Sequence, residues 1–525
     1  MRRRTFLASA ATTALAAPAV AQPGKTATLR FIPQANLTSL DPIWTTATVT
    51  NNHGYYVYDT LYSAGPDMRP RPQMAEGHEV SADGRVWRIR LRDGLKFHDG
   101  TPVRAVDCNA SIQRWCKRDP LGQILEAIAE QWNAPDDRTM EIRLTRPFPL
   151  LIDALAKPDA SVPFIMPERL ARTDAMKAIT EVVGSGPYRF LKDEYISGAR
   201  VAYARNDAYV PRQEKAEWAT GGKVAHFPRV EWNVIPDAAT AAAAMQRGEA
   251  DWWERPFNDL LPMLLKDPGL TSIIADPSGR NSILRFNCLY APFDDARVRR
   301  AVMTAIKPED YMRAAVGDDT TLWRGCKSAF PCGSPYANED AGARLMPGDM
   351  ALAKRMLKES SYAGQKVVII NPTDFPLIGP LGQVSADLLR TMGMNVDLQE
   401  SDWGTVVQRR ASREPSDKGG WNIFHTTGST SNWINPAVAS PWRGQGAQGW
   451  FGWWGNARVE AMVNDWLAAP DEASQTSVAK AIGVLALEEA PSIPLGQYYI
   501  RTVFRKRLTG MLQGPCPYPW NLREA

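Results

Sequence analysis

Seven tryptophans, Trp421, Trp433, Trp442, Trp450, Trp453, Trp454 and Trp466, crowd into one stretch of the chain, and Trp252 and Trp253 form a second group. An aromatic side chain buries roughly 150 to 250 Å² and, in tryptophan, carries one N–H donor. Such density therefore suits stacking on ring-shaped solutes or filling a core, and it favours no bond-making chemistry. Cysteine is the other reactive type. Cys326 and Cys332 enclose five residues in GCKSAFPCGSP, whose Gly and Pro forbid a continuous helix, so they are expected to close a short disulfide loop. Cys108 and Cys116 lie eight positions apart in an expected helix, roughly 12 Å along its axis and too far to bridge. The histidines at 53, 78, 98, 226 and 425 are scattered, and neither Cys-x-x-Cys nor His-x-x-x-His occurs, so no metal site and no cofactor are expected. Gly-x-Ser-x-Gly and His-Glu-x-x-His are also absent, and the chain reads as a non-enzyme.

The elements that must position these residues alternate along the chain. Trp87, Ile89 and Leu91 share one face of a strand over 86–92 and Arg88, Arg90 and Arg92 the other. Asp93-Gly94 then predicts a tight hairpin with 95–98 returning as the partner strand, followed by a helix near 104–118. Val298, Ala301, Val302, Ala305 and Ile306 give a helical stripe after Asp294-Asp295, so that acidic pair reads as a cap and not as a general acid and base. Residues 234–256 read as a strand end, an Ala-rich helix and a Gly stop. Residues 366–399 read as strand, helix, strand, a crossover unit of a mainly parallel sheet with Glu400-Ser401-Asp402-Trp403 emerging at its carboxyl end, where such sheets hold ligands. With 525 residues the chain is an α/β protein of several domains, and no low-complexity linker separates them.

The charge has a local source. Arg2, Arg3 and Arg4 open an Ala-rich stretch ending in Ala19-Val20-Ala21, the grammar of an export signal cut after Ala21, with a twin-arginine-like Arg3-Arg4-Thr5-Phe6-Leu7. Removing residues 1–21 leaves 58 basic against 57 acidic residues. Without a run of like charges, no nucleic-acid partner is expected, and the mature protein is expected in the periplasm after passing the export machinery.

LRDGLKFHDGTPV (91–103), VGSGPYRFLK (183–192), RNDAYV (205–210), IPDAATAAAAMQRGEADWW (235–253), LRFNCLYAPFDDARVRRAVMTAI (284–306) and Ser39-Leu40-Asp41-Pro42 resemble, in order, the solute-binding proteins of peptide/nickel-type ABC importers, family 5. The resemblance implies a two-lobed periplasmic binding protein fold of the large, three-subdomain type, with interleaved lobes that close by a hinge. It implies a first lobe from 22–65, 184–270 and 485–525, an inserted subdomain at 66–183, and a second lobe at 271–484. It also implies a small organic or peptide-like solute, an inner-membrane ABC permease as partner, and a monomer. A sensor or chaperone receptor on the same fold is the alternative.

Position by position, the resemblance makes Trp403 an aromatic wall and GGWNIFHTTGSTSNWINP (419–436) the ligand-lining strand and loop. Trp421, His425, Ser429, Ser431, Asn432 and Trp433 are thereby candidate ligand residues, as are Thr46, Thr48, Trp253, Arg285 and Asn287. Peptide-binding members commonly place an Asp in this loop against the ligand's amino group, whereas Ser431 and Asn432 stand here. A buried ammonium needs a counter-charge, so a neutral, acylated, sugar-like or drug-like solute fits the loop at least as well as a free peptide amine.

Overall fold

A computed structural model describes residues 28–525 except Ala160 and Pro470, so the expected export signal lies outside the described residues. Two large sheets organise the chain. The first runs in the order Tyr188–Phe190, Arg200–Arg205, Arg229–Asn233, Thr28–Ile32, Trp252–Trp253, Arg501–Arg505, Leu270–Ile274. Thr28–Ile32 pairs parallel with both its neighbours, and the remaining pairs are antiparallel. The second sheet runs Trp323–Arg324, Ser492–Tyr498, Arg280–Phe286, Ile423–Ser429, Lys366–Pro372, Asn395–Ser401.

The crossover unit forms with Lys366–Pro372 and Asn395–Ser401 parallel and Gly379–Met392 packed against both. The sheet is mixed, however, and not mainly parallel. Arg280–Phe286 is antiparallel to Ile423–Ser429 and to Ser492–Tyr498, whose strands come from distant parts of the chain that no local pattern could pair. Arg280–Phe286 and Ser492–Tyr498 are buried along their whole length, as central strands covered on both faces must be. Among the described residues the chain passes between the sheets at 275–279 and 499–500, so an antiparallel pair leaves one sheet and enters the other. By sheet membership the crossings fall after Ile274 and Tyr498, later than the expected 270 and 485, because the strand at 492–498 completes the second sheet.

A four-stranded sheet, Ala75–Val80, Val86–Leu91, Thr139–Leu144 and Ala129–Asp136, builds the inserted unit. Val86–Leu91 has the expected alternation, but 95–98 is not its partner. After Gly94, at φ +77°, the chain leaves the sheet; His98 N–H donates to Gly184 O, and a single bridge joins Lys96 to Pro102. The helix that follows, Ala105–Cys116, carries Arg114, which meets Asp41 of the Ser-Leu-Asp-Pro turn in a fully buried ion pair. Asp41 also accepts from the backbone N–H groups of Ile43, Trp44 and Ile179, so one carboxylate fixes the path of the segment leading to Thr45–Thr48. Asp295 caps Ala296–Ala305 by accepting from Arg297 N–H, as the stripe required. Cys326 and Cys332 form a disulfide, and Cys108 and Cys116 are free and buried.

Candidate functional site

The site lies at the boundary between the two large sheets and is built from strand ends. Ile32 pairs in parallel register with Trp253, so Gln34 and Arg255 leave neighbouring strands at the same level, and Val234 and Ile235 leave the next parallel strand beside them. Carboxyl ends of parallel strands are where open α/β sheets hold ligands. From the opposite sheet, Lys366–Pro372 ends toward Asp374 and Phe375. Asn395–Ser401 ends toward Asp402, which caps the helix Trp403–Arg409 by accepting from Thr405 N–H. Asp374 accepts from Trp403 N–H at 2.6 Å, and the indole packs edge-on against Phe375 at 5.2 Å between ring centres.

Two neighbouring cavities result. The larger, about 240 Å³, is walled by Gln34, Trp253 and Arg255 on one side and by Val316, Asp374 and Phe375 on the other, with Tyr499 and Ile500 of the crossing at its back. The smaller, about 10 Å³, shares Gln34 and Phe375 with it and reaches Thr46, Thr48, Trp403 and Arg410. A cavity of this size has room for about one water molecule.

Unpartnered polar groups concentrate here. Arg410 is 1 % exposed and meets only neutral groups: its Nη2 lies 3.3 Å from Thr46 Oγ1, and the rings of Phe451, Trp403 and Phe424 surround it at 4.8, 5.7 and 5.8 Å. Its Nε has no partner, and burial, with repulsion from Arg118, pushes its pKa down to about 9. Arg255 lies 3.4 Å from Glu254 yet keeps an unpartnered Nη1; burial, and then Arg280, push its pKa down to about 10. The Gln34 side-chain amide is buried with neither its oxygen nor its nitrogen bonded. Burying such groups unpaired costs free energy that a ligand can recover.

The expected residues divide. Trp253 lines the larger cavity, and Thr46, Thr48 and Trp403 the smaller. Asn432 reaches across the boundary, its Nδ2 donating to Asp159 at 3.0 Å, while Asn51 donates to the other oxygen of that carboxylate at 2.9 Å. Ser429 and Ser431 bond each other at 2.8 Å, and Trp433 packs against Gly428, where a Cβ would meet the ring at 2.8 Å. Trp421 stands behind Arg410, its Nε1 donating to Arg410 O. Three expectations meet a different placement. His425 faces the helix side of its sheet, with Nε2 2.7 Å from Ser385 Oγ, because alternation along the strand puts Phe424 and Thr426 toward the boundary instead. Arg285 donates to the carbonyls of Phe451 and Pro441, and Asn287 to that of Trp421, so both hold loops within the second lobe.

Residues 69–450 match the model of the bacterial extracellular solute-binding proteins, family 5. The chain belongs to this family. A probable peptide ABC transporter periplasmic-binding protein of Sinorhizobium fredii is 38 % identical over 493 residues, covering 93 % of this chain and 92 % of the relative. The glutathione-binding protein GsiB of Escherichia coli K12 is 26 % identical over 495 residues, covering 91 % of this chain and 90 % of the relative. Among solved structures, AgaA of Agrobacterium tumefaciens R10 in complex with agropinic acid superposes with a TM-score of 0.80 at 20 % identity, over 95 % of this chain and 99 % of AgaA. A dipeptide-binding protein of Pseudoalteromonas sp. SM9913 in complex with Met-Leu gives 0.76 at 20 % identity, over 95 % and 100 %.

The fold is thus the two-lobed family 5 type, and the chain is the solute-binding component of an ABC importer. Family 5 members of this kind work outside the cytoplasm, and among the described residues no helix is long and apolar enough to cross a membrane. Gln34, Arg255, Arg280, Arg410 and Asp159 were not singled out from the sequence. For Arg410 a signal exists: it continues the helical stripe Trp403, Val406, Val407 and so sits on an apolar face.

Proposed function

We propose that the mature, monomeric protein captures a small peptide-like or other amino-acid-derived solute in the two neighbouring cavities, shuts over it, and hands it unchanged to an inner-membrane permease. The observation that carries this reading is the wall composition: both lobes and the crossing at Tyr499–Ile500 contribute, so the full contact set exists only when the lobes are together. A ligand with more contacts in the shut form shifts the equilibrium toward it. The relatives named for peptides and glutathione, and the structures holding a dipeptide or agropinic acid, support the solute class. The lobes are divided as 28–65, 184–274 and 501–525 against 275–500, with 66–183 inserted in the first. The export signal ends at Ala21, and the protein acts in the periplasm.

Binding without turnover fits the nucleophiles at hand. Ser385 and His425 have the spacing of a hydrolytic pair, but both are buried behind the second sheet, where Tyr311 also bonds Ser385 at 3.0 Å. Burial pushes the His425 pKa down to about 3, so it is a poor acceptor for a serine proton. Purification under native conditions, followed by mass spectrometry of the released solute, tests the reading. A small molecule recovered with its mass unchanged after incubation supports it, and conversion of the solute refutes it.

A further inference from the structure

Gln34 and Arg255 form a pair that the protein itself leaves half used. They project from adjacent parallel strands held in register by Ile32 and Trp253, and both line the larger cavity. Gln34 is 8 % exposed and its amide bonds nothing. The Arg255 side chain is equally buried, at 8 %, and its Nη1 bonds nothing. The carboxylate paired with Arg255 is already engaged: Glu254 accepts from Gln34 N–H at 2.9 Å and from Asn52 Nδ2 at 3.2 Å, and it faces Arg255 Nε at 3.4 Å. What remains unpartnered is two donors, Arg255 Nη1 and Gln34 Nε2, and one acceptor, Gln34 Oε1. Two buried donors from neighbouring strands held in register suit the two oxygens of a carboxylate, and an arginine N–H on a carboxylate is among the stronger hydrogen bonds. The remaining acceptor suits an N–H or O–H on the neighbouring atom of the same molecule. Apolar side chains, among them Trp253, Phe257 and Phe375, wall the cavity together with Asp259, Asp374 and Arg313.

We infer that the solute carries a carboxylate that seats on Gln34 Nε2 and Arg255 Nη1, with its apolar body against Trp253 and Phe375. This rests on the cavity being the solute site, as proposed above. The seat lies on the first lobe, whereas Trp403 and Arg410 belong to the second, so a solute anchored here spans the boundary when the lobes meet.

Gln34→Met is the decisive variant. It keeps the length of the side chain and removes only an amide that makes no bond within the protein, so the melting temperature stays level or rises. The binding constant of the co-purified solute is measured against wild type and Gln34→Met, and that of Met-Leu and its C-terminal amide as defined probes. A solute whose mass spectrum shows a free carboxylate, bound about ten- to a hundredfold more weakly by Gln34→Met, supports the seat. For the defined probes, the acid is expected to bind about tenfold or more above the amide, with the difference reduced in the variant. Arg255→Lys, which keeps the charge but loses the fork, is expected to weaken the acid in the same way. A tightly bound solute with no carboxylate, or one bound equally by wild type and Gln34→Met, overturns the inference while leaving the receptor reading intact. Recovery of no small molecule and binding of neither probe refutes the receptor reading itself.

Discussion

Gly404 offers a direct probe of how the lobes meet. It occupies the first turn of the helix Trp403–Arg409 in the second lobe, and a methyl group built there would overlap Thr38 Cγ2 of the first lobe and stand 3.0 Å from Thr38 Oγ1. Carbon atoms need roughly 3.5 Å or more between them, so Gly404→Ala forces the shut form apart by on the order of 1 Å at this point. Overpacking of this kind costs about 1 to 3 kcal/mol. Within the helix the same change is favourable by up to about 1 kcal/mol, because alanine gives up less conformational freedom than glycine. The two effects act on different equilibria. A Cβ there would also stand 2.9 Å from Asp402 Oδ1, within the second lobe, so part of the cost falls on that lobe, while the overlap with Thr38 falls on the shut form. Affinity for the co-purified solute is therefore expected to fall about 5- to 150-fold by calorimetry, with the melting temperature of the unliganded protein changing little, since the helix gain and the crowding of Asp402 oppose each other. Thr38→Ser removes the offending methyl, so the double variant Gly404→Ala/Thr38→Ser recovers most of the lost affinity. Unchanged affinity in the single variant, or no recovery in the double one, would show that Thr38 and Gly404 do not meet in the liganded state.

Further outcomes follow from other contacts. Arg410→Met removes a buried cation with no carboxylate partner, so the melting temperature holds or rises while solute affinity drops at least about tenfold; a large stability loss at constant affinity would make Arg410 structural. Asp41→Asn strands Arg114 in the interior and is expected to cost about 3 to 5 kcal/mol in urea unfolding; a loss below about 1 kcal/mol would contradict the role given to the pair. His425 keeps a folded pKa of about 3 against an ordinary 6.5, so between these values the unfolded chain holds the extra proton and stability is lost as pH falls below 6.5. At pH 5 this amounts to about 2 kcal/mol, and His425→Gln is expected to lose correspondingly less stability between pH 7 and pH 5 than wild type does; an identical loss would refute the assignment. Replacing Cys326 and Cys332 by Ser opens a loop of five residues and is expected to cost about 2 kcal/mol, read as a matching shift on reduction of the wild type.

Features whose partners lie close in sequence were readable from the chain. The Asp295 cap, the crossover unit at 366–399, and the Cys326–Cys332 bridge each rest on residues within a few turns of one another. The hairpin at 93–98 failed because Asp93-Gly94 does specify a turn, but the strand before it already has both partners, at 75–80 and 139–144. A turn signal states that the chain reverses, not what it pairs with afterwards. The site followed the same division. Threonines and tryptophans at family positions reached the boundary, whereas Gln34 and Arg255 owe their proximity to a register between strands about 220 residues apart. Tryptophan density overstated the cleft: Trp421 and Trp442 are wholly buried, and Trp421 shapes the site only by bonding the Arg410 carbonyl from behind.

Native mass spectrometry of the mature protein, before and after the bound molecule is released and added back, tests the central claim most directly. The expected result is a monomer carrying one equivalent of a small solute that leaves and returns with its mass unchanged. A solute whose mass alters on the protein, a covalent adduct, or a chain that takes up no solute at all would contradict it.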